Sequence, residues 1–368
     1  MIDFTSALYL GMCHASGQLP SWGQLTLGVP AALNEPPGTR RLGQAIAHLQ
    51  GCERATFATS TLHLFWDLFG LLAREAVAIY ADDGLYPIAR WGIERAAARC
   101  VPVHSFPHHD PDALHNLLKQ TARARVKPLI VTDGFSPGTG KPAPLGSYLE
   151  SARSFGGYLI MDDTQALGIF GHTPDARAPY GHGGGGMLRA VGISDPNVLI
   201  ASSLAKGFGV PVAVLSGSNN LVEYFEERSD TRVHCSPPSI VHLQAVKHAL
   251  AVNEHEGETL RSRLGQLVCY FRRCLADIGF SLIDGIFPVQ TLINTARLDA
   301  LRLHERLLQL GIKTVLHSNR SREEARLSFI ITALHTPSQI DAAVSALVQA
   351  TTFQTHWRTA TTQSRPIY

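Results

Sequence analysis

The stretch Ile200 to Gly209, I-A-S-S-L-A-K-G-F-G, runs an apolar strand into small residues, a single lysine and a glycine turn. Gly207 and Gly209 leave space beside Lys206 for a bulky group, and Val198 to Ala201 has the composition of a buried strand. Burial disfavours the ammonium form of a lysine and lowers its pKa, which frees the amine for Schiff-base chemistry. The alternative is a lysine at the solvent end of a strand, its stem packed and its head in water. Carboxylates stand at two further strand ends: Asp133 after Leu129-Ile130-Val131-Thr132, and Asp162-Asp163 after Leu159-Ile160-Met161. Such groups serve a site, or they cap a helix or a turn. The turn Thr59-Ser60-Thr61 opens the apolar helix Leu62 to Ala73. Its hydroxyls, backbone N–H groups and the positive end of the helix dipole suit a phosphate, and an ordinary helix cap has the same composition.

The elements that would position these groups alternate along the chain. Strands are expected at Val77 to Tyr80, Val101 to Val103, Leu129 to Thr132, Tyr158 to Met161 and Val210 to Ser216. Helices are expected at Arg41 to Leu49, Ile88 to Arg99, from an Asp110 cap to about Leu118, and at Leu145 to Phe155. Alternation of this kind predicts a parallel α/β sheet with sites at the carboxyl ends of its strands. Beyond it lie helices at Val241 to Val252 and Leu260 to Ile278. A mixed set follows: strands Val289 to Ile293, Thr314 to Leu316 and Arg326 to Ile331, and helices Ala300 to Leu310 and Pro337 to Ala350. The expected domains are an N-terminal arm over 1–40 that joins the small domain, a large domain over 41–255 and a small α+β domain over 256–368. Gly183 to Gly186 reads as a mobile lid or a solvated loop, and the tail from about His356 as loosely ordered.

Composition narrows the class. The chain has 368 residues, 45% of them hydrophobic and 17% charged, with a net charge of +2. That balance implies neither nucleic acid nor an anionic membrane as a partner. Six cysteines lie without a C-x-x-C pair, and the 17 histidines have no ligand spacing, so neither a metal site nor a disulfide framework is expected. The N-terminus does not read as a signal peptide and no run is apolar enough to span a bilayer, which predicts a cytoplasmic protein.

Taken together, four segments resemble the α-oxoamine synthases among the fold type I pyridoxal phosphate (PLP) enzymes. They are Val131-Thr132-Asp133-Gly134-Phe135-Ser136, Pro142-Ala143-Pro144-Leu145, Met161-Asp162-Asp163-Thr164-Gln165-Ala166-Leu167-Gly168 and Ser203-Leu204-Ala205-Lys206-Gly207-Phe208-Gly209. Each motif is weak alone; their order and spacing carry the resemblance, which covers most of residues 2–350. It implies an α/β fold with a large domain whose mostly parallel sheet is flanked by helices, plus a small α+β domain. It also implies PLP on Lys206, which then acts as the base, with Asp162 against the pyridine nitrogen. Further cofactor contacts implied are Ser203 and the Ser60-Thr61 turn at the phosphate, Ser136 near the phenolic oxygen, Tyr86 stacked in place of a histidine, and Asp133 and Gln165 beside the ring. Ser236, in Cys235-Ser236-Pro237-Pro238, would reach a neighbouring subunit's phosphate, which makes a homodimer the expected unit.

Three positions depart from the family pattern. The second arginine of R-L-R, which grips the amino acid's carboxylate, is Ser328; the asparagine of N-D-Y-L-G is Ala7; the histidine after the paired aspartates is Gln165. Arg320 or Arg322 are possible substitutes for the lost arginine, with surface solvation as the other reading. The expected activity is condensation of an amine or amino acid with an acyl thioester on CoA or an acyl-carrier protein. The alternatives are an aminotransferase whose substrate has an altered or absent α-carboxylate, and a PLP-fold domain without turnover.

Overall fold

A computed structural model describes residues 1–293, 299–317 and 325–362. The chain forms two compact units. The larger comprises Met12–Ser136 and Lys141–Glu258; the smaller comprises Met1–Gly11, Pro137–Gly140 and the chain from Thr259 onward. The arm expected over 1–40 therefore divides, and only its first eleven residues pack in the smaller unit.

The larger unit is organised by a seven-stranded sheet in the order Arg54–Ala58, Ala213–Gly217, Val198–Ser203, Tyr158–Asp162, Lys127–Asp133, Val77–Asp82, Val103–Phe106. Ala213–Gly217 is antiparallel to both neighbours and the other pairings are parallel. Covered on both faces, such strands read as continuous apolar runs, and Val77–Asp82 is buried at every residue. Helix α1 (Thr39–Gln50) ends at Gly51, whose φ of 81° suits glycine and whose N–H returns to the Ala47 carbonyl. Helix α2 (Thr61–Leu72) is capped by Ser60, which accepts from the His63 N–H. Leu64, Phe65, Leu68 and Phe69 of α2 pack with Val77, Ile79 and Ile93 in one core. Phe65 and Phe69 are fully buried, each contributing about 1.5–3 kcal/mol by transfer from water. Helix α3 (Pro87–Ala97) starts with proline at its first position, where no N–H is needed, and Tyr86 immediately before it.

The structure departs from expectation in three elements. The helices expected at 241–252 and 260–278 are one, Ile240–Asp277. The intervening polar residues hold no proline, and a single Gly257 costs only about 1 kcal/mol in a helix interior. The edge strand expected at Val101 to Val103 is Val103–Phe106. The last helix runs Pro337–Thr362, past the expected end at Ala350. No helix among the described residues is long and apolar enough to cross a membrane.

In the smaller unit, Arg326–Ile330 lies between Val289–Thr291 and Val315–His317 in an antiparallel sheet. Ile2–Asp3 pairs with Ile312–Lys313, and buried Phe4 stacks on His335 at 4.4 Å, which holds the N-terminal residues in this unit.

Candidate active site

The polar groups of the large sheet gather where its parallel strands end. Asp133 and Asp162 close adjacent strands and are register partners; Asp82 closes the next strand, and Lys206 lies three residues past the end of Val198–Ser203. Lys206 reaches across, with its Nζ 5.9 Å from the centroid of the Tyr86 ring. Burial lowers the lysine's pKa, opposed by the charges of Asp162 and Asp133. Burial raises the Asp162 carboxyl, and its hydrogen bonds with Thr164 and the charge of Lys206 pull it back. Asp133 is pushed well above its ordinary value, first by burial and then by Asp162. Burial disfavours the ionised form of both carboxyls, and a cationic ring nitrogen bound beside them would favour it.

Short local contacts fix these side chains. The Tyr86 N–H donates to Asp133 Oδ2 at 3.1 Å, tying the start of α3 to the neighbouring strand end. The Thr164 N–H donates to Asp162 Oδ1 at 2.9 Å, and the Thr164 hydroxyl accepts from the Ser203 N–H at 2.9 Å. Thr164 therefore links the carboxylate strand to the lysine strand. Sequence reasoning assigned it no role, although an aspartate two residues ahead of a threonine after a buried strand is the signature of such a turn. The Ser203 Oγ accepts from the Ala205 N–H at 3.3 Å and so shapes the approach to Lys206. A Cβ on Gly207 would lie 2.4 Å from the Leu167 carbonyl, so only glycine permits this close passage.

The remaining expected residues lie around this cluster or apart from it. Ser60 and Thr61 form the first turn of α2, where the hydroxyls of Thr59 and Ser60 lie 3.0 and 2.8 Å from His63 Nδ1. Ser136 pairs with Lys141 in a two-residue ladder. Gln165 is half-buried in the turn that returns the Leu167 N–H to the Asp163 carbonyl. Ser236 is exposed, between the helices Asp230–His234 and Ile240–Asp277. In the smaller unit, Ser328 is fully buried with its hydroxyl 2.7 Å from that of Thr291, and Ala7 is half-buried. Arg320 and Arg322 lie outside the described residues.

The second aspartate of the pair has a structural task. Asp163 is buried, accepts from the Met187 N–H at 3.0 Å, and is raised well above its ordinary value by burial. A Cβ on Gly186 would lie 1.9 Å from Asp163 Oδ2. The four glycines are thus neither a lid nor a solvated loop. Gly183 donates to Glu258 Oε1 and accepts from Asn253, Gly184 accepts from the Gly168 N–H, and Gly186 donates to the Phe170 carbonyl.

Comparisons with known proteins identify the family and the fold. The family profile described as aminotransferase class I and II matches residues 31–347. The 8-amino-7-oxononanoate synthase of Sodalis glossinidius is 27% identical over 95% of this chain and 88% of its own. That of Alcanivorax borkumensis is 28% identical over 95% and 89%. Among solved structures, the serine palmitoyltransferase of Sphingomonas wittichii superposes with a TM-score of 0.82 at 17% identity, covering 96% of this chain and 88% of that one. The 8-amino-7-oxononanoate synthase of Francisella tularensis gives 0.73 at 20% identity, covering 96% and 98%. At these identities the superpositions establish the fold.

Proposed function

We propose, from the premise that this chain belongs to the aminotransferase class I and II family, that it is a PLP-dependent transferase of fold type I condensing an amine or amino acid with an acyl thioester. The observation that carries the reading is the half-buried Lys206 amine beside the Tyr86 ring, within electrostatic reach of two strand-end carboxyls. Relatives named 8-amino-7-oxononanoate synthase, aligned along 95% of the chain, supply the reaction class.

The residues present fit the cofactor. Lys206 would carry it covalently, Asp162 would face its ring nitrogen, and Tyr86 would lie against its ring. Ser203 and the Ser60-Thr61 turn suit the phosphate, Ser136 the phenolic oxygen, and Asp133 and Gln165 positions beside the ring. When bound, PLP supplies an electron sink that stabilises negative charge at the substrate carbon next to the amine. This chain's residues do the rest. Desolvation keeps a larger share of the Lys206 amine neutral, so that it can attack a carbonyl and, once displaced by a substrate amine, take a proton from that carbon and return it. Asp162, held by Thr164, keeps a carboxylate where a protonated ring nitrogen needs its counter-charge. Gly207 allows the lysine loop to pass closely under Leu167.

Ser328 supports a second reading. Where the family resemblance puts a guanidinium that grips a carboxylate, this chain has a buried hydroxyl spent on Thr291. A substrate with an altered or absent α-carboxylate, in condensation or in transamination, fits that loss. Incubating the holoenzyme with candidate amines and an acyl-CoA or acyl-carrier thioester separates the two. Thiol release without conversion to the pyridoxamine form indicates condensation; conversion without thiol release indicates transamination and overturns the primary reading. The homodimer, with Ser236 serving the neighbouring subunit's phosphate, and the cytoplasmic location belong to the same proposal. The six free cysteines accord with a reducing compartment.

A further inference from the structure

We propose that Asp82 and His108 are positioning residues whose hydrogen-bonded pair fixes the turn Asp82–Tyr86 and, through it, the Tyr86 ring beside Lys206. The proposal rests on the reading above, in which Tyr86 lies against the cofactor. Asp82 ends its strand fully buried, and each of its oxygens holds a different side of the turn. Oδ1 accepts from the Gly84 N–H at 2.7 Å and from His108 Nδ1 at 2.6 Å. Oδ2 accepts from the His109 N–H at 3.2 Å, with the hydroxyls of Tyr148 and Thr132 at 3.3 and 3.4 Å. His108 also presses on the turn sterically: a Cβ on Gly84 would lie 2.1 Å from its Nδ1. Arg90 closes the turn from the helix side, donating from Nε to the Leu85 carbonyl at 2.9 Å and from Nη2 to the Asp83 carbonyl. The turn then delivers Tyr86, whose N–H reaches Asp133 and whose ring stands over Lys206.

The His108 Nε2 is buried without a hydrogen-bond partner among the described residues, so the hydrogen bond this ring makes is the one to Asp82. A histidine serving only to fill space needs no such directed bond. The His109 ring lies against it, centroids 3.7 Å apart and planes tilted by 30°, with its backbone in the left-handed region at φ 59°. Asp82, His108 and His109 each offer a ligand atom within 4.8 Å of the others. Asp82 already spends both oxygens on the Gly84 and His109 N–H groups, the His108 ring and the Tyr148 hydroxyl, however, so the cluster acts as a brace rather than as a cation site.

The test is a double-mutant cycle on the holoenzyme, read by the PLP dissociation constant and the circular dichroism of the bound cofactor, with melting temperature as the control for folding. His108→Phe keeps the ring volume and loses the donor; His108→Asn keeps a donor where Nδ1 stood. With Tyr86 present, His108→Phe is expected to weaken PLP binding about fivefold or more and to diminish the cofactor dichroism, while His108→Asn stays within about twofold of wild type. In a Tyr86→Ala background, His108→Phe is expected to change PLP binding by less than about twofold, although it lowers the melting temperature equally in both. An equal loss of PLP affinity in both backgrounds, or none in either, overturns the proposal. If Tyr86→Ala alone leaves affinity and dichroism unchanged, the placement of Tyr86 against the cofactor fails, and this inference fails with it.

Discussion

The carboxyl ends of the seven-stranded sheet and the central strand of the three-stranded sheet are both buried, yet they treat polar groups in opposite ways. At the large sheet, carboxyls close three neighbouring strands and a lysine lies within electrostatic reach of two of them, and burial opposes the charged form of all three groups. In Arg326–Ile330 the polar group is a neutral hydroxyl paired with another hydroxyl across the ladder. Such groups regain their charge only beside a partner of opposite sign; a satisfied Ser–Thr pair needs nothing further. The first region has the electrostatics of a site whose charge a cationic ligand would set. The second has those of a packed core at a position where the family resemblance leads one to look for a guanidinium.

The contrast predicts unequal responses to substitution. Lys206→Ala is expected to abolish covalent attachment, leaving no borohydride-fixed PLP peptide by mass spectrometry, and to cut turnover by about 10²–10⁴ or more through loss of the base. Retention of the fixed peptide would remove the basis of the contrast. Asp162→Asn keeps the shape and removes the charge; PLP should still bind while kcat drops by roughly 10²-fold or more, and wild-type kcat in this variant would deny the carboxylate its role. Ser328→Ala should leave PLP binding and kcat within about twofold and cost about 1–3 kcal/mol in denaturant unfolding, because the Thr291 hydroxyl loses its buried partner. A large fall in kcat with unchanged stability would make Ser328 a functional residue after all.

The smallest effect is expected from Asp163→Asn. Its folded-state pKa lies above the ordinary 3.8, so the folded chain holds a proton that the unfolded chain has released. That contribution to stability is fully present below the unfolded pKa and is lost as pH rises through the folded one. The variant should therefore show a flatter fall of melting temperature with pH over that window, since the asparagine carbonyl still accepts from Met187. An unchanged slope would exclude Asp163 as its source.

Much of this arrangement was legible in the sequence. Buried parallel strands announce themselves as apolar runs, and a charged residue directly after one, as at Asp133 and Asp162, stands out. Thr164 was legible as a turn residue after Asp162 but not as the link to Ser203, and the Asp82–His108 pair was not legible at all, because these contacts join strand ends brought together only by the crossover topology. The glycines at 183–186 were misread as a lid or loop for a related reason. Glycine in sequence signals freedom, but here Gly186 exists because Asp163 leaves no room for a Cβ. The break expected over 253–259 failed because the stretch holds no proline, its three glutamates are good helix formers, and the cost of Gly257 is small beside a helix of 38 residues.

The sheet order also has a kinetic consequence. Arg54–Ala58, which leads into the Ser60–Thr61 turn, lies at one edge of the sheet and pairs with Ala213–Gly217, so its partner begins 159 residues later (213 minus 54). At a synthesis rate of about 5–20 residues per second, the edge strand waits about 8–30 s for that partner to be made. The turn at the head of α2 is therefore anchored last, and a nascent chain halted before residue 213 should have the lysine strand in hand but no finished place for a phosphate.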